Sequence, residues 1–320
     1  MTVVAFLRTR VVRWEEGTVK RFLVICAVAA LAGCGTTNSV APFQPTAVPT
    51  APARLYAAGD AVPSNSIAYF TGPFSASTTP TGSIATGSGG EVIGLAIDAN
   101  GNLIASDQFL NTITGYTRPT PSTSVLFTIS PGFTPGGIAF DANHNFYVSN
   151  YTANTVDTMS TPLSAASVAT PLITTGINGP AGLCFDTAQN LYVMNYSLGT
   201  INAYAPPYTG AATVVSTGVN NTDSCAYDNR TNQLIVNHVG VFTGSALVYN
   251  LPLTAASVPA ATIAFATTSS TAVGTDFSGN LYVGTGTPTI NVYAPPFTSA
   301  STPTFSFALA NAINAIVVGQ

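Results

Sequence analysis

The chain has 320 residues, of which 46% are hydrophobic and only 6% are charged, against roughly 25% charged residues in an ordinary soluble domain. Five of the eight cationic residues lie within the first 21 positions, and beyond residue 34 three arginines and no lysine accompany ten carboxylates, a net charge of −7. Proteins bind nucleic acids through cations that displace phosphate counterions, so this composition excludes a nucleic acid as a partner. The aliphatic and aromatic content also excludes a disordered chain.

Residues 20–34 carry the pattern of a bacterial export signal. Lys20 and Arg21 precede a short apolar stretch, and the segment ends in Leu-Ala-Gly-Cys at Cys34. The stretch is too short to span a membrane and has the length of the apolar region of a signal peptide. Its last four residues resemble the lipobox of bacterial lipoproteins, which implies cleavage after residue 33 and lipidation of Cys34. The alternative is an ordinary signal peptide that is cleaved nearby.

The first 18 residues do not fit a signal peptide, because Glu15 and Glu16 would lie in its cationic part. We therefore assign residues 1–33 to the signal peptide and expect translation to begin within this range, at Val19. Residues 34–54 are expected to be the lipidated cysteine and a Pro/Thr/Ala-rich tether. Gly35 after the cysteine resembles lipoproteins that are sent to the outer membrane. The expected location is the bacterial cell envelope, which means the outer membrane in a Gram-negative cell.

From residue 55 onward one pattern recurs along the chain. An apolar run ends in Asp and is followed by a turn and a second strand, as in GLAIDANGNLIAS from residue 94 and GIAFDANHNFYVS from residue 137. Alternation of period two, punctuated by Gly, Pro and Asn, predicts β-strands throughout. The recurring carboxylates are Asp98, Asp141, Asp186, Asp228 and Asp276. An Asp at a strand end bonds its own downstream backbone amides, so we interpret this series as structural turns rather than catalytic groups.

Each copy contains four strand-forming segments, and there are six copies when the two chain ends are combined. The segment from Leu55 lacks a first strand, which INAIVVGQ at the C-terminus would supply. The sequence therefore predicts an all-β fold: a six-bladed β-propeller over residues 55–320, with four-stranded blades and one blade closed by strands from both termini. The alternatives are a seven-bladed ring and a β-sandwich, which fit six copies less well.

PGGIAFDANHNFYVSNYTANTV from residue 135 resembles the NHL repeat, in which an Arg pairs with an Asp at the end of the second strand. Here that Arg is replaced by Ser66, Thr112, Thr155, Thr200, Ser245 and Thr289. The strand-end position reads Gly59, Asp107, Asn150, Asn195, His238 and Thr285. Neutral hydrogen bonds are thus expected in place of the charged pair. The resemblance implies a propeller that binds other molecules, whereas related six-bladed folds include metal-dependent lactonases and lyases.

Six polar residues on successive repeats form a candidate site at one end of the central channel. Asp107, Asn150, Asn195 and His238 end second strands, and Glu91 and Asp223 precede first strands. Carboxylate, amide and imidazole groups suit a divalent metal ion, and the set loosely resembles the site of gluconolactonase-type propellers. Turn capping explains the Asp and Asn residues equally well. No cofactor is predicted apart from this divalent ion.

Two further features have structural interpretations. Cys184 and Cys225 lie on first strands of adjacent repeats, one register position apart, so we expect them to point to opposite faces and to remain thiols. An exported compartment would nevertheless permit a disulfide. YAPPYTG and YAPPFTS, which begin at Tyr204 and Tyr293, follow third strands near the rim. Exposed aromatic loops would suit a glycan or peptide, but because they follow the repeat we expect them to end strands and pack between blades.

These features together predict an envelope-anchored lipoprotein whose propeller is a binding or scaffolding module. The sequence leaves enzymatic activity open but does not support it, because no Ser-His-Asp order, Cys-His pair or phosphate-binding loop occurs. The competing prediction is a metal-dependent hydrolase or lyase at the channel mouth, and a third is a purely structural surface protein. The expected partners are the membrane, through the lipid, and an envelope protein, peptide or glycan. The chain is expected to be a monomer.

Overall fold

The computed structural model describes residues 53–60, 65–119, 123–239, 244–265 and 270–319. The predicted signal peptide, Cys34 and most of the predicted tether lie outside these residues. The described part contains 24 β-strands in six four-stranded antiparallel sheets, which confirms the six-bladed β-propeller. Within it, no helix has the length and apolar character that a membrane span requires.

The strands fall into four sets according to their place in a sheet. The first strands are β4 (Val92–Ile97), β8 (Pro135–Phe140), β12 (Pro180–Phe185), β16 (Thr222–Asp228), β20 (Ser270–Thr275) and β24 (Ala312–Gly319). The second strands are β1 (Arg54–Asp60), β5 (Leu103–Asp107), β9 (Phe146–Asn150), β13 (Leu191–Asn195), β17 (Gln233–His238) and β21 (Leu281–Thr285).

The third and fourth strands lie farther from the axis. The third strands are β2 (Asn65–Thr71), β6 (Thr112–Tyr116), β10 (Thr155–Met159), β14 (Thr200–Tyr204), β18 (Ser245–Asn250) and β22 (Thr289–Tyr293). The fourth strands are β3 (Gly82–Gly87), β7 (Val125–Ile129), β11 (Thr170–Ile173), β15 (Thr213–Ser216), β19 (Ala261–Ala264) and β23 (Phe305–Ala308).

Each sheet is one blade of the ring. Blade 1 contains β24, β1, β2 and β3, and blades 2 to 6 contain β4–β7, β8–β11, β12–β15, β16–β19 and β20–β23. The first strand of each blade contacts the first strand of the next, and β24 contacts both β4 and β20. The six first strands therefore line the central axis, and blades 2 and 5 lie opposite each other across it.

Blade 1 closes the ring with strands from both ends of the domain, as predicted. β24 pairs antiparallel with β1 from Arg54 opposite Gly319 to Asp60 opposite Ala312. The buried side chain of Ile313 packs over Gly284 of blade 6, where an added Cβ would lie 2.6 Å from its Cγ2 atom. This strand joins blades 1 and 6 and pairs with β1, which would otherwise be the inner edge of its sheet.

The core consists of six clusters of buried side chains, one between each pair of neighbouring blades. The second strands contribute to two clusters at once. In β13, Leu191 and Val193 face blade 3, whereas Tyr192 and Met194 face blade 5. Side chains alternate across a strand, and both faces of this strand are covered, so every residue of β13 is buried. This explains why the second strands are continuous apolar runs.

The loops after the third strands have the structural role expected from the repeat. Tyr204 and Tyr293, which end these strands, are buried. Tyr208 is buried as well, and its ring centroid lies 5.8 Å from that of Tyr147 and 6.1 Å from that of Phe185. The aromatic side chains of these loops therefore fill the space between blades and are not available to a ligand.

The expectation of two free thiols is wrong, because Cys184 and Cys225 form a disulfide. Their Cα atoms are 6.1 Å apart on the first strands of blades 4 and 5. Alternation along a strand predicts on which face of its own sheet a side chain lies. It does not predict the distance between two side chains on different sheets that meet at the axis. The neighbouring strands approach closely at Gly182, where an added Cβ would lie 2.6 Å from the carbonyl oxygen of Asp223. The disulfide thus ties two blades together beside the channel.

Candidate functional site

All six residues of the candidate site lie at the same end of the ring, where first strands begin and second strands end. Val92 begins β4 and pairs with Asp107 at the end of β5. The equivalent pairs are Pro135 with Asn150, Pro180 with Asn195, and Thr222 with His238. We call this end the mouth face. The other end is called the turn face, because it holds the five repeated Asp turns.

Asp107 shapes the hairpin that follows its own strand. Its Oδ1 atom accepts hydrogen bonds from the backbone amides of Glu91 at 2.9 Å, Phe109 at 3.0 Å and Leu110 at 2.8 Å. The side chain is only 5% exposed. Two of these amides belong to the turn between β5 and β6 and the third lies just before β4, so the orientation of the carboxylate serves the backbone rather than the channel.

Asn150 and Asn195 are also engaged in local hydrogen bonds. Asn150 accepts from the amide of Ala153 at 2.9 Å and donates to Asp157 at 3.0 Å. Asn195 accepts from the amide of Asn178 at 3.2 Å and donates to Oγ1 of Thr200 at 3.0 Å. Both side chains are buried. These hydrogen bonds join the second strand to the third, at the place where the NHL repeat has its Arg–Asp pair. The acceptor is a hydroxyl oxygen for Asn195 and a carboxylate oxygen for Asn150.

His238 lies at the same position in blade 5. Its Nδ1 atom is 3.4 Å from Oγ of Ser245, the Ser/Thr position of that repeat. Burial of the half-buried ring lowers its pKa below the usual value, which favours the neutral imidazole at neutral pH. His238 therefore contributes no positive charge to the mouth face under these conditions.

Glu91 and Asp223 are the two candidate residues whose charges interact across the channel. Glu91 precedes β4 in blade 2 and Asp223 lies on β16 in blade 5, directly opposite, and the charge of Glu91 acts on Asp223. Glu91 accepts hydrogen bonds from the side-chain amides of Gln108 and of Asn314, the latter at 3.0 Å. In the described part of the chain the Asp223 carboxylate accepts no hydrogen bond. Both carboxylates thus lie at the mouth, and two side-chain amides hold that of Glu91 in place.

This arrangement has a strong effect on Asp223. Burial between the walls of the mouth, followed by the charge of Glu91, raises its pKa from 3.8 to about 7. Between those two values the folded chain keeps a proton that the unfolded chain has released, so the free energy of unfolding falls as the pH rises. Above about pH 7 both states are ionised and the destabilisation is complete.

We expect Asp223→Asn to raise the melting temperature at pH 8 and to leave it nearly unchanged at pH 4. The amide has the size of the carboxylate but does not carry the charge that burial and Glu91 disfavour. Thermal unfolding followed by circular dichroism from pH 4 to 8 measures the difference. Glu91→Gln serves as the control and should move the pH-dependent step of Asp223 to lower pH. Equal effects of Asp223→Asn at both pH values would contradict this assignment.

Apolar side chains are exposed beside the mouth on three consecutive blades. Phe109 of blade 2 is 67% exposed, Tyr151 of blade 3 is 47% exposed and Leu198 of blade 4 is 50% exposed. Each lies in the hairpin between the second and third strands, just after the strand-end Asp or Asn. We call these three residues the apolar arc. Tyr196 of blade 4 interacts electrostatically with Tyr151 of blade 3 and with Asp223 of blade 5.

The repeated Asp residues occupy the turn face and accept hydrogen bonds from their own turns. Asp186 accepts from the backbone amide and from the side chain of Asn190, both at 2.8 Å, and from the hydroxyl of Tyr192 at 2.8 Å. Burial and this hydrogen bond raise the pKa of Tyr192. Asp98 makes the same bonds to Asn102 but has Ile104 in place of the tyrosine. These carboxylates hold the first hairpin of blades 2 to 6 in place.

We expect Asp186→Ala to lower the free energy of unfolding by about 3 kcal/mol, because it also leaves a buried tyrosine hydroxyl without an acceptor. Asp98→Ala, which lacks that consequence, should cost about 1 kcal/mol. Chemical denaturation of both variants measures the difference. Adding Tyr192→Phe to Asp186→Ala should recover part of the loss. Equal costs for the two Asp variants would show that the tyrosine contributes nothing.

Sequence reasoning missed several residues of the mouth face. Asn314, which contacts Glu91, comes from the C-terminal strand and takes the bulge position that Asp223 has in blade 5. The arc could have been found in the sequence, since an apolar residue follows the strand-end position within one to three residues in three repeats.

Among the described residues, no three His, Cys, Asp or Glu side chains are grouped so that they could hold a metal ion.

No family model matches the sequence, and no curated protein matches it. Solved structures share the fold. A chain from the crystal structure of a nidogen/laminin complex has 16% identity and a TM-score of 0.65, over 84% of this chain and 98% of that one. A protein of unknown function from Bacteroides caccae has 12% identity and a TM-score of 0.61, over 84% and 99%. The structure of U3-55K has 14% identity and a TM-score of 0.56, over 79% and 80%. At these identities the similarity shows the propeller fold alone.

Proposed function

We propose that this chain is an envelope-anchored lipoprotein, held through a lipid on Cys34, whose propeller binds or scaffolds a partner through its mouth face. The observation that carries the binding role is the apolar arc, because exposed large apolar side chains grouped on one face mark interaction sites. The propeller fold is consistent with such a module, and one structural neighbour is a chain of a nidogen/laminin complex.

The positions of the polar residues agree with a binding module. Asp107, Asn150 and Asn195 are bonded within turns and between strands, so they do not converge on one cavity.

A disulfide between Cys184 and Cys225 agrees with export, because such bonds persist in oxidising compartments. The proposed location is the cell envelope, which is the outer membrane in a Gram-negative host, with a monomeric propeller and a protein, peptide or glycan partner.

Lipidation can be tested by expressing the full chain in a bacterial host and labelling it with radioactive palmitate. We expect label on the native chain and partition into the detergent phase of Triton X-114. Cys34→Ser should lose both, whereas Cys26→Ser, which lies in the predicted signal peptide, should keep both. An unlabelled native chain in the aqueous phase would overturn the anchoring role.

The alternative function, a metal-dependent lactonase-like hydrolase or lyase, can be separated by thermal unfolding of the full chain with Ca²⁺, Mg²⁺, Mn²⁺ or Zn²⁺ and with EDTA. An ion that binds the folded state raises the melting temperature. We expect no specific ion to do so. A rise that Asp223→Asn abolishes would favour the enzyme and would justify a screen of lactones and esters.

A further inference from the structure

A repeated hydrogen bond joins neighbouring blades close to the axis. The residue before the strand-end position is Ser106 in blade 2 and Ser149 in blade 3, and both serines are fully buried. The hydroxyl of Ser106 donates to the carbonyl oxygen of Gly136, and that of Ser149 donates to the carbonyl oxygen of Ala181, each at 2.6 Å. Both acceptors are the second residue of the next blade's first strand. These bonds tie blade 2 to blade 3 and blade 3 to blade 4.

The boundary between blades 4 and 5 is joined differently. Met194 has the serine position in blade 4, and its thioether has no proton to donate to the equivalent carbonyl, that of Asp223. At this boundary the disulfide between Cys184 and Cys225 joins the two first strands. Met194 is fully buried, and both cysteines pack against the same apolar cluster that contains it. A covalent bond therefore takes the place of the serine hydrogen bond.

Further polar contacts of this boundary lie toward its two ends. At the mouth face the backbone amide of Asn221 donates to the carbonyl oxygen of Tyr196 at 3.0 Å. At the turn face the hydroxyls of Thr187 and Tyr227 lie 3.1 Å apart. Between these ends the disulfide and the apolar cluster hold the two blades together. Cleavage of the disulfide would therefore loosen the middle of the boundary while both ends stay tied.

We propose that the Cys184–Cys225 bond is a redox-sensitive latch, which a dithiol reductant opens in the folded chain so that blades 4 and 5 loosen at the axis. Both cysteines are partly exposed and lie on strands that line the axis, so a small reductant reaches them. A thiolate of the reductant attacks one sulfur, and the other cysteine leaves as a thiolate. The second thiol of the reductant then breaks the mixed disulfide. The chain gains two electrons and two protons as two thiols, and the reductant leaves as a disulfide.

The latch also affects the mouth face. Asp223 lies in the bulge of β16, two residues before Cys225, and Leu198 of the apolar arc belongs to blade 4. The two residues lie on opposite sides of the boundary, so its loosening would change their spacing. Packed interfaces shift between discrete arrangements rather than deform continuously. Only this consequence rests on the proposed binding role, because the latch itself needs neither a lipid nor a partner.

Amide hydrogen exchange of the full chain in mild detergent, with and without dithiothreitol, tests the proposal. Labelling for seconds to minutes reports local openings rather than global unfolding. We expect peptides that cover β12 and β16 to exchange about tenfold faster in the reduced chain, and peptides that cover β4 and β8 to change less than about twofold. Alkylation, measured on peptides, counts the two thiols. Reoxidation with the cyclic disulfide of dithiothreitol should restore slow exchange.

Two variants provide the controls. Replacement of both Cys184 and Cys225 with Ala should give the exchange pattern of the reduced chain and abolish the response to dithiothreitol. Ser106→Ala removes the matched hydrogen bond between blades 2 and 3. It should speed exchange in β8 with or without reductant and leave β16 unchanged, because it acts on one boundary only.

Three outcomes would overturn the latch. Cysteines that resist dithiothreitol until urea unfolds the chain would be a permanent crosslink. Reduction without faster exchange in β12 and β16 would show that the bond does not hold this boundary, and an equal increase in all six blades would show a global effect. Loss of palmitate labelling would remove the anchoring role and leave these exchange results unaffected, so the two proposals fail separately.

Discussion

A chain that ends at Asn311, and so lacks β24, is expected to lose its cooperative unfolding transition. β24 is the first strand of blade 1, and its removal would leave β1 as an unpaired edge and break the contacts with both β4 and β20. The cluster between blades 1 and 6 would lose the buried side chains of Ile313 and Ile316. Thermal unfolding and near-ultraviolet circular dichroism of the truncated chain measure this effect.

A point variant gives the same prediction a magnitude. Ile313 is fully buried, so Ile313→Ala should lower the free energy of unfolding by about 3 kcal/mol. Val258, which is 76% exposed, is the matched control, and Val258→Ala should cost less than about 0.5 kcal/mol. A truncated chain with the native melting temperature would show that the ring does not need this strand.

The second large effect concerns the disulfide. Replacing both Cys184 and Cys225 with Ala is expected to lower the free energy of unfolding by about 4 kcal/mol, because the bond closes a loop across a sequence separation of 41 residues in the unfolded chain. Urea unfolding followed by tyrosine fluorescence suits this measurement, since the only tryptophan lies in the predicted signal peptide.

Redox chemistry provides the control for this prediction. Alkylation after reduction should modify two more thiols than alkylation before it, by intact mass. Reduction should destabilise the native chain about as much as the double variant and should leave the double variant unchanged. Complete alkylation of both residues without reductant would restore the original expectation of two thiols.

The charge of Asp223 connects stability with the proposed binding role. A carboxylate whose pKa is raised to about 7 by burial and by Glu91 lowers the stability of the fold at neutral pH. Groups that cost stability in this way are concentrated at functional sites, because the geometry that a ligand needs differs from the geometry that the empty site prefers. Removal of the charge is therefore expected to stabilise the chain at neutral pH.

The strand pattern of this protein could be predicted from local chemistry. Leu191 to Asn195 is a continuous apolar run that ends in a turn residue, and the structure buries it on both faces. Position in the repeat also identified which residues end strands, since Asn195 pairs with Thr200 and His238 with Ser245 in the observed register. Such features depend on residues close in the chain, where alternation and turn propensity act directly.

The sequence by itself determined the six repeats, the four strands of each and the closure of the ring by both chain ends, because each is encoded in a period that every blade repeats. Only the tertiary structure decided which of the six candidate residues meet. Glu91 and Asp223 lie three blades apart, and their charges interact because the ring brings opposite blades to one axis, whereas Asp107 and Asn150 are held by their own hairpins. The same reason applies to Cys184 and Cys225, whose proximity depends on how two sheets approach the axis. Contacts between blades depend on the distances between sheets, which no local pattern specifies.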